Sequence, residues 1–136
     1  MRPLYRFLYK RFDYRFLYLI LSENGRKGVK IGIGWELESR FRTIDRSLPG
    51  TKERIGFAVR LFYSKKHEGF LHSRFAKANF IKSGSGATEW FYLTERQYRQ
   101  AVGWLKMYQA KQRFLLLLLA LSLLFTLIVF IKLAPL

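Results

Sequence analysis

The sequence predicts a small α+β domain, with a mixed or antiparallel sheet flanked by helices, carried on one C-terminal transmembrane helix. Three observations predict it. From Phe114 to Ile131, eighteen consecutive residues carry no charge, close to the about 20 apolar helical residues that cross a hydrocarbon core of ~30 Å. Upstream, β-like apolar runs alternate with stretches whose apolar residues recur at helical spacing. No cysteine occurs, which excludes disulfide scaffolds, thiolate metal sites and cysteine nucleophiles.

Residues 1–14 form a basic, aromatic N-terminal arm. Within it Tyr5-Arg6-Phe7-Leu8-Tyr9 recurs as Tyr14-Arg15-Phe16-Leu17-Tyr18, but two copies do not make a solenoid. The arm can lie on lipid with its cations at the headgroups, extend a strand, or stack on bases. Lipid contact or packing is the preferred reading, because aromatics bury well anywhere.

The domain proper is expected over 15–112. Phe16 to Leu21 and Val29 to Ile33 read as two strands of a hairpin, joined through the turn cluster Ser22-Glu23-Asn24-Gly25. Gly32 and Gly34 at the end of the second strand signal a close backbone approach. Leu37, Phe41, Ile44 and Leu48 predict an amphipathic helix over 36–47, stopped by Pro49-Gly50. Residues 57–63 read as a third strand, apolar on both faces. Ser64 is positioned to cap the next helix, in which Glu68, Leu71, His72 and Phe75 share one face. Residues 82–88 form a Gly- and Ser-rich loop, and Glu89 to Leu93 a short strand. Thr94 and Gln97 fit a capping box. The helix that follows meets neither Gly nor Pro from Trp104 to Lys132. It is expected to pass without a hinge into a membrane span over 113–133, which would hold the domain against the bilayer.

Residues 1–113 carry 24 Lys or Arg against 9 Asp or Glu. A field of that sign attracts nucleic acid or an anionic leaflet, and net charge alone does not choose between them. Lys106, Lys111 and Arg113 precede the span and only Lys132 follows it. Cations gather on the cytoplasmic flank of spanning helices, so the expected location is the membrane, single-pass, with the N-terminal domain in the cytoplasm. The apolar run lies at the wrong end for a secretory signal.

The order of elements and several short motifs resemble the GIY-YIG nuclease superfamily, in its phage- and fungal-type branch with KIG, E-x-x-x-H and EWF motifs. The matching residues are Leu17-Tyr18 with Ile20, then Val29-Lys30-Ile31-Gly32, Arg40, Glu68 with His72, and Glu89-Trp90-Phe91. The resemblance covers roughly residues 16–93. Phe16 stands where the family's first motif has glycine, Lys30 where other branches have a second tyrosine, and Ile44 in the region of a histidine many members carry. Asn79 lies in the wrong segment to be the late asparagine, and Glu89 is its candidate substitute.

The resemblance implies a metal-dependent endonuclease using Mg2+ or Mn2+. Hydrolysing a phosphodiester needs a deprotonated water and stabilisation of charge on the phosphorus oxygens. By similarity, Tyr18 orients or deprotonates the water, and Arg40 grips the phosphate with several coplanar donors. Glu68 holds the metal by a carboxylate oxygen, Lys30 adds charge beside the phosphate, and His72 shuttles a proton or orients Glu68. Read without the resemblance, Tyr18 is a core aromatic, Arg40 a solvated helix charge, Glu68 and His72 a surface pair, and Trp90 and Phe91 core. Three functions therefore stand at this point: a membrane-anchored endonuclease acting on DNA in preference to RNA, a non-catalytic nucleic-acid-binding module, and a basic protein seated on anionic lipid.

Overall fold

The computed structural model describes residues 7, 10–22, 28–47, 53–79 and 90–133, with backbone alone at 43–47. It is an α+β fold. The order is β1 (Arg15–Ser22), β2 (Val29–Gly34), α1 (Leu37–Ser47), β3 (Glu53–Leu61), α2 (Ser64–Arg74), a 3-10 turn (Ala76–Ala78), β4 (Trp90–Phe91) and α3 (Glu95–Leu133). The strands lie in the order β3-β1-β2-β4, and every pairing is antiparallel.

β1 is the central strand, and that explains its unbroken apolar run. Leu17 and Leu19 point to one face while Tyr18 and Ile20 point to the other, and all four are fully buried. On the first face Leu17 and Leu19 join Val29, Ile31, Val59 and Leu61 in a core closed by Leu71 of α2, by Phe75 just past its end, and by Ala101 and Leu105 of α3. On the second face Tyr18, Ile20 and Trp90 pack against Leu37 and Phe41 of α1. The sheet is thus sandwiched, with α1 alone on one side and α2 with α3 on the other. The side chain of Ile44, the residues Leu48 to Gly50, the turn cluster from Glu23 to Gly25, the loop over 82–88 and Glu89 lie outside the described residues.

Two expectations are corrected. The third strand runs from Glu53 to Leu61, not over 57–63. Its polar start continues the ladder across a bulge: Leu19 faces Phe57 while Ile20 faces Ile55, leaving Gly56 as the extra residue. A Cβ on Gly56 would stand 2.6 Å from the Tyr98 hydroxyl and 2.9 Å from Leu21, so this glycine gives α3 its seat on the sheet. The strand ends because Tyr63 takes a left-handed conformation, φ 54°. The other correction concerns the start of α2. Ser64 is its first residue, the N-cap position falls to Tyr63, and no side chain of that cap bonds the helix. The capping comes from Asp13, far upstream: its carboxylate accepts the Lys65 N–H at 2.6 Å, and its carbonyl accepts the Ser64 N–H at 3.1 Å and hydroxyl at 2.9 Å. The Asp13 carboxylate also meets Arg15 at 2.5 Å. Phe12 meets Phe62 edge-on and Tyr14 lies tilted against it, so the end of the arm is fastened to the β3–α2 corner.

The capping box opens α3 as expected. Gln97 N–H donates to the Thr94 hydroxyl at 3.2 Å and Thr94 N–H to the Gln97 amide oxygen at 2.9 Å. Thr94→Ala is expected to cost about 1 kcal/mol of unfolding free energy, measured by chemical denaturation of the full chain in detergent. From there α3 runs 39 residues without a break. It contains a window long and apolar enough to cross a membrane, none of it buried inside the chain. Thr126 donates its hydroxyl to the Ser122 carbonyl at 2.9 Å, so this polar side chain of the window satisfies itself locally.

His67 of α2 stacks on Tyr108 of α3, ring centroids 4.3 Å apart. Burial, with Lys66 adding to it, holds its pKa below the ordinary 6.5. The unfolded chain therefore binds the proton more readily, and stability must fall as pH drops through 6.5 and below. Denaturation midpoints of the wild type between pH 7.5 and 5 are expected to show this slope, and His67→Gln to reduce it.

Candidate functional site

The α1 side of the sheet gathers three of the five residues singled out above. Register explains why. Tyr18 faces Gly32, and its neighbour Ile20 faces Lys30, so Tyr18, Lys30 and Gly32 share one face. With hydrogen in place of a side chain, Gly32 lets the Tyr18 ring lie across the strand. A Cβ there would meet the Tyr18 hydroxyl oxygen at 2.6 Å and its ring carbons at 2.7 and 2.9 Å. At Gly34 a Cβ would find ordinary contact distances, 3.5 Å from the Arg40 stem and 3.6 Å from the Tyr18 ring. Of the two glycines, Gly32 makes the close approach that their spacing signalled.

Arg40 descends from α1 onto this floor. Its Nε–H donates to the Tyr18 hydroxyl at 3.2 Å, joining side chains 22 positions apart. The Tyr18 ring has no exposed surface, whereas Arg40 is exposed. Arg40 therefore meets solvent, and the tyrosine oxygen supports it from below. Lys30 is 3% exposed, and its ammonium lies 5.6 Å from the centroid of the Trp90 ring, a cation over a negative π-face. Trp90 and Phe91 are both buried, as the core reading of that pair expected.

Glu68 and His72 belong to α2, which covers the opposite face of the sheet. Glu68 is half-buried. One turn later the Nε2 of His72 lies 3.0 Å from the Ile31 carbonyl oxygen, and its ring tilts against Phe91. A carbonyl only accepts, so Nε2 carries the hydrogen and Nδ1 is the acceptor in the neutral ring. His72 thus grips the strand that carries Lys30, one residue beyond the described β4 pairing at Val29 and Lys30. Helical spacing predicted the shared stripe of Glu68 and His72, and gave no sign of which face of the sheet that stripe would cover.

Beside Arg40, around the start of α1, lies a concavity of about 730 Å³ whose lining includes Phe16, Trp35, Arg42 and Arg60. Arg60 stacks on Phe16, its guanidinium carbon 4.2 Å from the ring centroid, and Arg15 lies over exposed Trp35 at 5.2 Å. Glu36 and Glu38 also line it, and Glu38 faces Arg42 at 3.6 Å in solvent, a pair of little energetic weight. Arg60 and Trp35 were not among the predicted site residues. The available signal was an arginine at an inward position of a strand otherwise apolar at its C-terminal end.

A divalent cation is the group the resemblance implies. Among the described residues no group of three or more His, Cys, Asp or Glu stands ready to hold a metal. Magnesium asks for no such cluster, since it keeps most of its waters and takes one or two carboxylates; Glu68, the carboxylate the resemblance names, stands on the α2 side of the sheet.

Comparison with known proteins gives one family. The T5orf172 domain matches residues 15–106, from the first residue of β1 into α3. It is a domain of phage and bacterial endonuclease-like proteins, related to GIY-YIG-like folds. No curated protein and no solved structure matches the chain.

Proposed function

The chain belongs to the T5orf172 domain family, and on that premise we propose that it is a membrane-tethered, magnesium-dependent endonuclease of GIY-YIG type acting on DNA at the cytoplasmic face. The observation that carries the reading is the Arg40–Tyr18 contact, a planar cation fixed over a glycine-floored strand with its outer surface open. A guanidinium at such a place offers phosphate oxygens a planar set of charged donors. Nearby Lys30 adds positive charge on the same face, and the basic domain concentrates polyanions around both.

Each residue has a role in this proposal. Arg40 binds and neutralises the scissile phosphate. Tyr18 holds Arg40 by its hydroxyl and lies next to the water-attack position when the guanidinium engages the phosphate. His72, held by the Ile31 carbonyl on the α2 side of the sheet, would orient Glu68 one turn earlier on the same helix. Glu68 is the residue that the family resemblance assigns to Mg2+ or Mn2+, although it stands on the α2 side of the sheet and Arg40 on the α1 side. When bound, the metal supplies charge neutralisation at the phosphate and a more acidic water. The apolar window of α3 would keep the domain at the bilayer, raising its local concentration wherever DNA passes.

The test is plasmid nicking by the full-length chain in nanodiscs. Supercoiled DNA should relax with magnesium or manganese and stay intact with EDTA. No cleavage in either metal overturns the enzyme. The complete burial of Tyr18 favours a second reading, a non-catalytic DNA-binding module on the same fold. That reading predicts a metal-independent gel shift whose affinity falls steeply with salt, and no cut product.

A further inference from the structure

We infer that the β3–α2 corner and the last soluble turn of α3 form a cationic, aromatic collar that rests in the anionic headgroups of the leaflet crossed by α3. The inference rests on the membrane-tether reading above and names the lipid surface the domain itself touches.

The geometry begins at Gln112. Its side-chain oxygen accepts the Phe62 backbone N–H at 2.9 Å, so the corner is fastened to α3 two residues before Phe114, where the uncharged run starts. Two helical residues advance about 3 Å along the axis. The headgroup layer is about 5–7 Å deep on each side of the hydrocarbon core. A corner bonded at that height lies within the layer whenever the apolar run fills the core.

The side chains there suit such a layer. Tyr63, next in the chain, is 54% exposed and turned outward by its left-handed backbone. A tyrosine with one apolar and one wet end belongs at a membrane interface. Lys65 and Lys66 follow it, and Lys111 and Arg113 flank Gln112; all four are exposed. The arm adds to the same end. The Phe12 carbonyl accepts the Tyr63 N–H at 2.8 Å, and the helical backbone leading to it carries exposed Lys10 and Arg11. Asp13, the acidic residue beside them, is committed to the Lys65 N–H and to Arg15. Each cation near an anionic surface adds to binding, and the effect fades within a Debye length.

The chain has no cysteine, so single probes are clean. In the full-length chain, Tyr63→Cys, Ile55→Cys and Leu121→Cys would each carry one environment-sensitive fluorophore; Ile55 is exposed at the other end of β3. The proteins would be reconstituted in phosphatidylcholine vesicles with and without phosphatidylserine. Quenching would be read with aqueous iodide and with a headgroup-linked nitroxide. In phosphatidylserine vesicles, iodide should quench position 63 several-fold less than position 55, and the headgroup nitroxide should quench 63 selectively. Lys65→Glu with Lys66→Glu should remove most of the dependence on phosphatidylserine. If 63 is as open to iodide as 55 while 121 stays protected, the tether stands and the collar is wrong. If 121 is open to iodide, the tether fails and the collar with it. If DNA, and not phosphatidylserine, protects position 63, these lysines serve nucleic acid and the collar is overturned.

Discussion

Arg40→Ala is expected to lower magnesium-dependent nicking by the full-length chain about 10²–10³-fold, the usual loss when one preorganised charge-stabilising donor is removed from a transition state. The substitution should leave the fold in place, because Arg40 is an exposed residue of α1 and lies outside both apolar clusters. Truncating it deletes a guanidinium whose Nε–H is aligned by the Tyr18 hydroxyl. Arg40→Lys should rescue little, since an ammonium cannot donate to the tyrosine and present a planar fork at once. Glu68→Gln is expected to abolish the metal dependence with a similar fall in rate, because an amide is a poor magnesium ligand. The two losses separate by metal titration: excess magnesium should recover part of Glu68→Gln and none of Arg40→Ala. Unchanged nicking in both variants would sink the assignment, whatever the family of the chain.

Local features of the chain reported local structure well. The capping box needed only Thr94 and Gln97, three residues apart, and it is present as read. Gly32 and Gly34 announced a close approach, and it occurs at Gly32, where the Tyr18 ring is what approaches. The meeting of Tyr18 with Arg40 came from family resemblance and not from periodicity, since nothing in either segment encodes contact across 22 residues. The failures share a cause. A helix cap supplied by Asp13, 52 positions before Lys65, leaves no local signature, so Ser64 took the role by default. The bulge at Gly56 shifts register by one residue, while strand propensity reads the same on either side of it. A helical stripe such as Glu68, Leu71, His72 and Phe75 specifies a buried face, but the partner face is a property of topology. That is why the sequence alone could not show Glu68 and His72 approaching from the side of the sheet opposite to Arg40.

Gly32→Ala is the sharper test of how the floor of the site is built, because it adds one methyl group and removes nothing. In isolation the change favours the folded strand by roughly 0.5–1 kcal/mol, glycine losing more freedom on folding. Here the new Cβ would sit 2.6 Å from the Tyr18 hydroxyl oxygen and under 3.0 Å from two ring carbons. The ring cannot swing clear, since Ile20, Trp90, Leu37 and Phe41 pack around the same cluster. Contacts this short against a ring that is packed on every side place the overpacking cost at the upper part of the usual range, about 2–3 kcal/mol, so the net change should be destabilising by about 1–2.5 kcal/mol in urea denaturation. The displaced hydroxyl should also release the Arg40 Nε–H and cut nicking together with DNA affinity. Tyr18→Phe is the control. It removes the nearest atom but leaves the ring carbon that the Cβ would meet at 2.7 Å, so Gly32→Ala should still destabilise a Tyr18→Phe background, though less. If Gly32→Ala is neutral or stabilising, the tyrosine does not lie across this strand in solution, and the proposed support of Arg40 from beneath loses its basis.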